Sequence, residues 1–234
     1  MKFLGKFSSL STILFVTIII TGKAQITQRS EVGIGLGTFN YTGDLVRSYN
    51  FAFSQPAGTV FYRANISKVI SFRASLTAGK LSASDASKPI DAFSTQRNAS
   101  FNIFLMEISG VYEYHFLDWK DDRRRLRFTP YLFGGLALFN ISGVPAKTAQ
   151  YSNVQMAIPF GGGIKYILNP KYYMSLEFGV RKTFFDYLDN ISDADVSQKN
   201  YQYGNKFDYD NYFFLGVTLT RTFYDIPCPK NPYK

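Results

Sequence analysis

From Glu31 onward, apolar and polar side chains alternate at every second residue in a series of eight segments separated by polar stretches. A period of two is the mark of a β-strand with one face in an apolar medium and the other against something polar. The third segment, Val69–Lys80, is the plainest: Ile70, Phe72, Ala74, Leu76 and Ala78 alternate with Ser71, Arg73, Ser75, Thr77 and Gly79. The same rhythm predicts strands over Glu31–Tyr41, Thr59–Ser67, Phe101–Phe116, Met156–Leu168, Tyr172–Phe184 and Asn211–Phe223. In Phe101–Phe116 the start is apolar on both faces, and the alternation is clear only from Met106 and Ile108 against Glu107 and Ser109. Arg127–Asn140 has strand composition, but Phe, Leu and Gly fall on both its faces and leave its parity open.

The connections sort into two kinds. Ser67-Lys68 and Asn169-Pro170-Lys171 are tight turns, whereas Thr42–Gly58, Leu81–Ser100, Ile141–Gln155 and Phe185–Asp210 are long and polar. Long and short connections alternate, as they do in outer-membrane barrels with long outer loops and short periplasmic turns. Leu117–Leu126, at a turn position, is the exception in length. An even strand number puts both termini on the periplasmic side. The fold class predicted is therefore all-β, an eight-stranded antiparallel transmembrane β-barrel. It must be closed, because an open sheet edge in lipid would leave backbone groups unpaired. The alternative is a soluble lipocalin-like barrel, with the apolar face turned inward around a lumen lined by large aromatics. The charges on the opposite face fit a small lumen better, since eight strands leave room only for side chains.

Composition supports this. Aromatics make up 18% of the chain, with 23 Phe and 17 Tyr against one Trp. Mean hydropathy is only −0.10, which is no objection, because alternation hides the apolar content of transmembrane strands. Ahead of the strands, Lys2 and Lys6, the apolar run Leu10–Thr21 and the small residues of Gly22-Lys23-Ala24 form the pattern of a signal peptide over 1–24. The apolar run of about 12 residues is short for a membrane-spanning helix, the other reading of this segment. The domains expected are thus 1–24 signal peptide, 25–223 barrel and 224–234 periplasmic tail. Without the first segment the formal charge falls from +9 to +6. The remaining bases are scattered, and the largest cluster, Arg123-Arg124-Arg125 with Arg127, follows Asp121-Asp122. No nucleic-acid partner is expected, since that requires a gathered basic stripe.

The inward parity carries Glu31, Glu107, Glu113 and Glu177 together with Arg63, Arg73, Lys165 and Arg181. Equal numbers of acids and bases in one narrow lumen admit a catalytic or proton-relay reading. The structural reading is a plug of ion pairs, since buried charge is tolerable only when paired; it implies a closed lumen and no diffusion pore. His115, the single histidine, has no Cys or second His near it in sequence, so no zinc site of the usual kind is expected. Asp186, Asp189, Asp193 and Asp195 form either a calcium-recruiting loop or a solvated one. No cofactor and no catalytic residue is expected, and the chain reads as a non-enzyme. Cys228, the single cysteine, lies beyond the last strand and is either a free thiol or an intermolecular contact in an exported chain.

Several segments also resemble, as a set, the PorG-like outer-membrane barrels of the type IX secretion system. They are Tyr41-Thr42-Gly43-Asp44-Leu45, Phe128-Thr129-Pro130-Tyr131, Ile158-Pro159-Phe160-Gly161-Gly162-Gly163-Ile164-Lys165-Tyr166, and Arg181-Lys182-Thr183 leading to Asp186-Tyr187-Leu188-Asp189. The resemblance implies a small barrel in the outer membrane that anchors or organises a protein secretion machinery, with a link to gliding motility. Its implied partners are outer-membrane lipids and a periplasmic ring made of a lipoprotein and a second ring-forming subunit. For the ring contact, the long turn with Trp119, Asp121, Asp122, Arg123, Arg124 and Arg125, and the tail around Cys228, are the expected surfaces. The other function expected for such a chain is a generic barrel acting in adhesion or envelope integrity through its outer loops. A lipid-acting enzyme is a third, and it would require a nucleophile and base at the outer rim.

Overall fold

In a computed structural model, eight antiparallel strands close into a barrel in sequence order, β1 to β8. The residues described are 30–43, 45, 46, 48–85, 98, 100–117, 126–144, 152–184, 188 and 210–223. The strands are β1 Ser30–Thr42, β2 Gln55–Asn65, β3 Ile70–Ser84, β4 Ser100–His115, β5 Phe128–Ser142, β6 Val154–Asn169, β7 Tyr172–Thr183 and β8 Asn211–Phe223. A short 3-10 turn, Phe51–Phe53, precedes β2. Closure is made by β1 against β8, in register from Ser30↔Phe223 to Thr42↔Asn211. No sheet edge is left, which is the condition for strands to cross lipid. Among the described residues no helix is long and apolar enough to cross a membrane; the crossing elements here are strands.

The alternation decides which face is which. Outward stand Val32, Ile34, Leu36, Tyr62, Leu76, Ile108, Leu132, Leu176 and Val217, all exposed. Inward, at the opposite parity, stand buried residues that include all eight ionisable groups expected there. An exterior of large exposed apolar side chains around a charged interior is the inverse of a water-soluble barrel, and it excludes the lipocalin-like alternative. Exposed aromatics crowd the end that carries Ser30 and Phe223: Tyr62, Tyr112, Tyr114, Phe128, Tyr172 and Phe223 stand there, the position of an interfacial girdle. That end is called the terminal end below, and the other the loop end.

Turn chemistry fixes the short connections. The Ser67 hydroxyl accepts from the Ile70 N–H at 2.9 Å, and the Asn169 side chain accepts from Lys171 N–H at 3.0 Å and Tyr172 N–H at 2.9 Å. Such side-chain-to-backbone bonds are the reason Ser and Asn favour tight turns. Two boundaries differ from expectation by four residues, the others by two at most. β2 begins at Gln55, four residues before Thr59, although Pro56-Ala57-Gly58 reads as a turn; Pro56 pairs only with Thr38 of β1, and β3 begins to pair with β2 at Ala57. A proline at the start of a strand, with one side unpaired, forfeits no ladder bond there. β3 and β4 extend past Lys80 to Ser84↔Ser100, because Leu81 and Ala83 bury inward against Ile103 and Leu105.

Candidate functional site

Among the described residues, acidic and basic side chains gather in the lumen, which divides by chemistry along its length. Toward the terminal end, Arg63 of β2 is at the centre. Its Nη1 lies 2.7 Å from Glu31 Oε2 and its Nε 2.7 Å from Glu113 Oε2. Arg73 of β3 continues the chain, with Nε 3.1 Å from Glu113 Oε1 and Nη1 2.5 Å from Glu177 Oε2. The Lys165 ammonium lies 3.5 Å from Glu31 Oε2. Neutral groups complete the network: Asn65 Nδ2 donates to Glu31 Oε1 at 2.8 Å, Ser71 Oγ to Asn65 Oδ1 at 2.6 Å, and Tyr131 Oη to Glu177 Oε2 at 2.9 Å. Three carboxylates are thus balanced by two guanidinium groups and one ammonium, on strands from all around the wall.

The floor of this network is aromatic. Arg63 and Arg73 both lie over the Phe61 ring, at 4.8 and 5.5 Å from its centroid, and Arg73 also lies 5.2 Å from Phe133. The Phe61 ring itself covers Gly33, its cross-strand neighbour. A Cβ on Gly33 would sit 2.2 Å from the ring, so the ring can lie flat under the two guanidinium groups only if residue 33 has no side chain.

A second, smaller pair marks the middle of the lumen. Arg181 Nε is 3.3 Å from Glu107 Oε2, and Tyr212 Oη donates to that same oxygen at 2.7 Å. The Tyr212 ring then packs edge-on against Phe39 and Phe139, with centroids 5.7 and 5.6 Å apart. Toward the loop end the lumen is mainly apolar. Phe39, Tyr41, Leu81, Leu105, Phe139, Ile141 and Phe214 fill it, joined by Leu45, Val46, Phe53 and Leu188 from the connecting loops. Asp210 ties the last loop to this plug, accepting from Tyr41 Oη at 2.6 Å and from Leu188 N–H at 2.9 Å.

This apolar half is an addition to the sequence reading, which expected ion pairs to plug the lumen. The barrel is apolar on both sides of its wall at the loop end, which is why β4 near Phe101 and β5 gave no readable parity. On β5 the structure places Leu132, Leu136 and Leu138 outside and Tyr131, Phe133, Ala137, Phe139 and Ile141 inside.

His115 is fully buried at the terminal end of β4, its Nε2 3.4 Å from Glu113 Oε2 and 3.5 Å from Ser71 Oγ. It is part of the polar network, and among the described residues no group of three or more His, Cys, Asp or Glu side chains could hold a metal ion. Outside, the wall has a shallow apolar hollow bordered by Ile34, Leu36, Val60, Leu76, Val217 and Leu219. The residues expected to meet a periplasmic partner, Trp119, Asp121, Asp122, Arg123, Arg124, Arg125 and Cys228, lie outside the described residues, as do residues 1–24 and Asp186, Asp189, Asp193 and Asp195. Asn65, Ser71, Tyr131, Tyr212 and Asp210 were not singled out from sequence. Asn65, Ser71 and Tyr212 share the inward parity of the ionisable residues, and that signal was available; Tyr131 stands on β5, whose parity is unreadable, and Asp210 just before β8 in a polar stretch.

Similar structures agree with this architecture. Neisserial surface protein A is similar at a TM-score of 0.53 and 12% identity, over 83% of this chain and 97% of that one. The attachment invasion locus protein Ail of Yersinia pestis is similar at a TM-score of 0.46 and 9% identity, over 85% and 100%. The N-terminal β-barrel domain of Pseudomonas aeruginosa OprF is similar at 0.42 and 14%, over 83% and 97%. These likenesses are of fold. Together with an exterior of exposed apolar side chains, the fold places the chain in a bacterial outer membrane. No curated protein matches the sequence. The family model described as "Domain of unknown function (DUF6089)" matches residues 8–231, and the chain belongs to that family.

Proposed function

We propose that the protein is a non-enzymatic outer-membrane component of a type IX protein secretion machinery, anchoring or organising a periplasmic ring at the membrane. The observation that supports a scaffold rather than a conduit or a catalyst is the lumen. It is occupied from the terminal end by Glu31, Arg63 and Glu113 and toward the loops by Phe39, Phe139 and Tyr212, all buried. Among the described residues, side chains that neutralise one another within hydrogen-bonding distance leave no free path for a solute, and the Ser71 hydroxyl beside His115 is fully buried within that network. A barrel so filled acts through its rims. Within this reading residues 1–24 are a cleaved signal, the terminal end faces the periplasm, and the turn around Trp119–Arg125 and the tail around Cys228 meet the ring.

A second reading, a barrel for adhesion or envelope integrity, has its own support. The strand ends that flank the connections 43–54, 85–99, 143–153 and 184–210 all stand at the loop end, and the apolar plug there includes Leu45, Phe53 and Leu188. One experiment separates the two. The tagged protein is recovered from outer membranes under non-reducing conditions, as wild type and as Cys228→Ala. Co-purification of a periplasmic lipoprotein and ring subunit, with a crosslinked band that needs Cys228, is the expected result. Recovery of the ring without the band would keep the function and remove the disulfide. A barrel recovered alone would leave the second reading.

A further inference from the structure

Every carboxylate among the described residues is buried: Glu31, Asp85, Glu107, Glu113, Glu177 and Asp210 are all 3% exposed or less. The exposed charged side chains among them are consequently all basic, namely Lys68, Lys80, Arg127, Lys171, Lys182 and Arg221. Their placement is uneven. Lys80 and Lys182 stand singly toward the loop end, on β3 and β7. Arg127, Lys171 and Arg221 form an arc on one side of the terminal rim, at the entry to β5, in the β6–β7 turn and near the end of β8.

Backbone bonds hold the arc together. Ile167 N–H donates to the Arg127 carbonyl at 2.7 Å, and Thr222 N–H donates to the Lys171 carbonyl at 2.9 Å. Between the bases the outer wall presents Phe128, Tyr166, Tyr172 and Phe223, all exposed. Phe128 is the cross-strand partner of Tyr166, and Tyr172 that of Arg221. The Arg221 guanidinium lies 5.2 Å from the Phe223 ring centroid, which orients its planar fork along the wall at the level of the aromatic girdle.

We propose that this arc binds the phosphates of anionic phospholipids in the leaflet that meets the terminal end. The proposal rests on the reading of the chain as a membrane-spanning barrel. Exposed aromatic rings settle at the headgroup level, where long basic side chains reach the phosphates. A guanidinium takes two phosphate oxygens at once, and each base near an anionic surface adds to the attraction. The ionic network offers these bases no counter-charge, because Glu31, Glu107, Glu113 and Glu177 already meet Arg63, Arg73, Lys165 and Arg181.

The test uses the full chain folded into vesicles of phosphatidylcholine with about one fifth phosphatidylglycerol, the lipids retained per barrel being counted by native mass spectrometry after gentle extraction. The wild type should keep phosphatidylglycerol in preference to phosphatidylcholine. The triple variant R127Q/K171Q/R221Q should lose roughly fivefold of that preference for each base removed at low salt. The pair K80Q/K182Q, on the opposite rim, should behave as wild type. If the triple variant does not fold, Arg221→Gln alone, on the exposed wall, should show the single-charge step. Equal preference in wild type and the arc variants, or an equal loss in K80Q/K182Q, would overturn the arc. A wild-type chain that fails to enter even pure phosphatidylcholine would overturn the membrane reading itself, and the arc with it.

Discussion

The two halves of the lumen fill the same narrow space with opposite chemistry. At the terminal end the filling is ionic, and three of its pairs join strands that are not neighbours: Arg63 of β2 to Glu113 of β4, Arg73 of β3 to Glu177 of β7, and Lys165 of β6 to Glu31 of β1. At the loop end it is apolar, and its members come from the loops as well as the strands. The first arrangement is directional. A charge held away from water has no acceptable alternative to its partner, so the network fixes the wall across its diameter. The second is not directional: an apolar side chain that loses one neighbour can settle against another. The difference suits the two ends to different tasks, a rigid terminal end and a loop end whose long connections lodge in an adaptable plug.

The sharpest way to break that contrast is to strand a charge. Arg63→Met removes the guanidinium that serves both Glu31 and Glu113, and leaves carboxylates of 0% side-chain exposure with only part of their compensation. Breaking one member of a buried network costs about 3–5 kcal/mol. Urea titration of the vesicle-embedded protein, read by the heat-dependent gel mobility of folded barrels, should show this loss together with poor assembly. A midpoint near that of wild type would mean that the charges are solvated and the lumen is open.

Next in size is a change on the outer wall, which serves as the control for both halves. Leu215→Arg or Leu76→Arg puts a charge on the lipid side of β8 or β3 and should cost about 2–4 kcal/mol at mid-membrane depth. The same assay applies, with the fraction of protein reaching the membrane as a second readout. Normal assembly of both variants would speak for a water-soluble barrel.

A smaller effect is expected inside the apolar half. Phe39→Leu removes ring contacts with Tyr212 and Phe214, at centroid distances of 5.7 and 5.8 Å. It leaves an apolar group in an apolar surround, and should cost about 1 kcal/mol. A loss as large as that of Arg63→Met would remove the distinction between the halves.

The same distinction explains what could be read from the chain and what could not. Strand parity is legible wherever the two faces differ in polarity. β8 spans Asn211–Phe223, the bounds its alternation predicts, and Arg63, Arg73, Glu113 and Glu177 are assigned inward by parity alone. Legibility fails where both faces are apolar. Phe133 and Phe139 inside and Leu132 and Leu138 outside are equivalent by hydropathy, so β5 had no readable face and the plug was missed. Who pairs with whom across the lumen is a separate matter: that Arg73 meets Glu177 follows from closure of the barrel and the stagger of its strands, which no spacing along the chain encodes. The wrongly placed start of β2 has a local cause, since Pro56 and Gly58 carry turn signals that the pairing with β1 overrides.

The finest test lies at the seam between the halves, where Glu107 and Arg181 meet Tyr212. Removing Arg181 alone would strand Glu107, as in the ionic half. Removing the whole polar set, as Glu107→Met with Arg181→Met and Tyr212→Phe, extends the apolar plug by one layer and leaves no charge behind. A buried pair replaced by apolar groups of similar volume is often neutral or mildly stabilising, and a hydrogen bond deleted on both sides carries little penalty. The triple variant is therefore expected within about 1 kcal/mol of wild type, while Arg181→Met alone falls well below it. Non-additivity of this sign is what a structural plug predicts. If the seam were instead built to move a proton or admit a ligand, the triple variant would fold as well as wild type yet fail to restore the phenotype of a deletion strain.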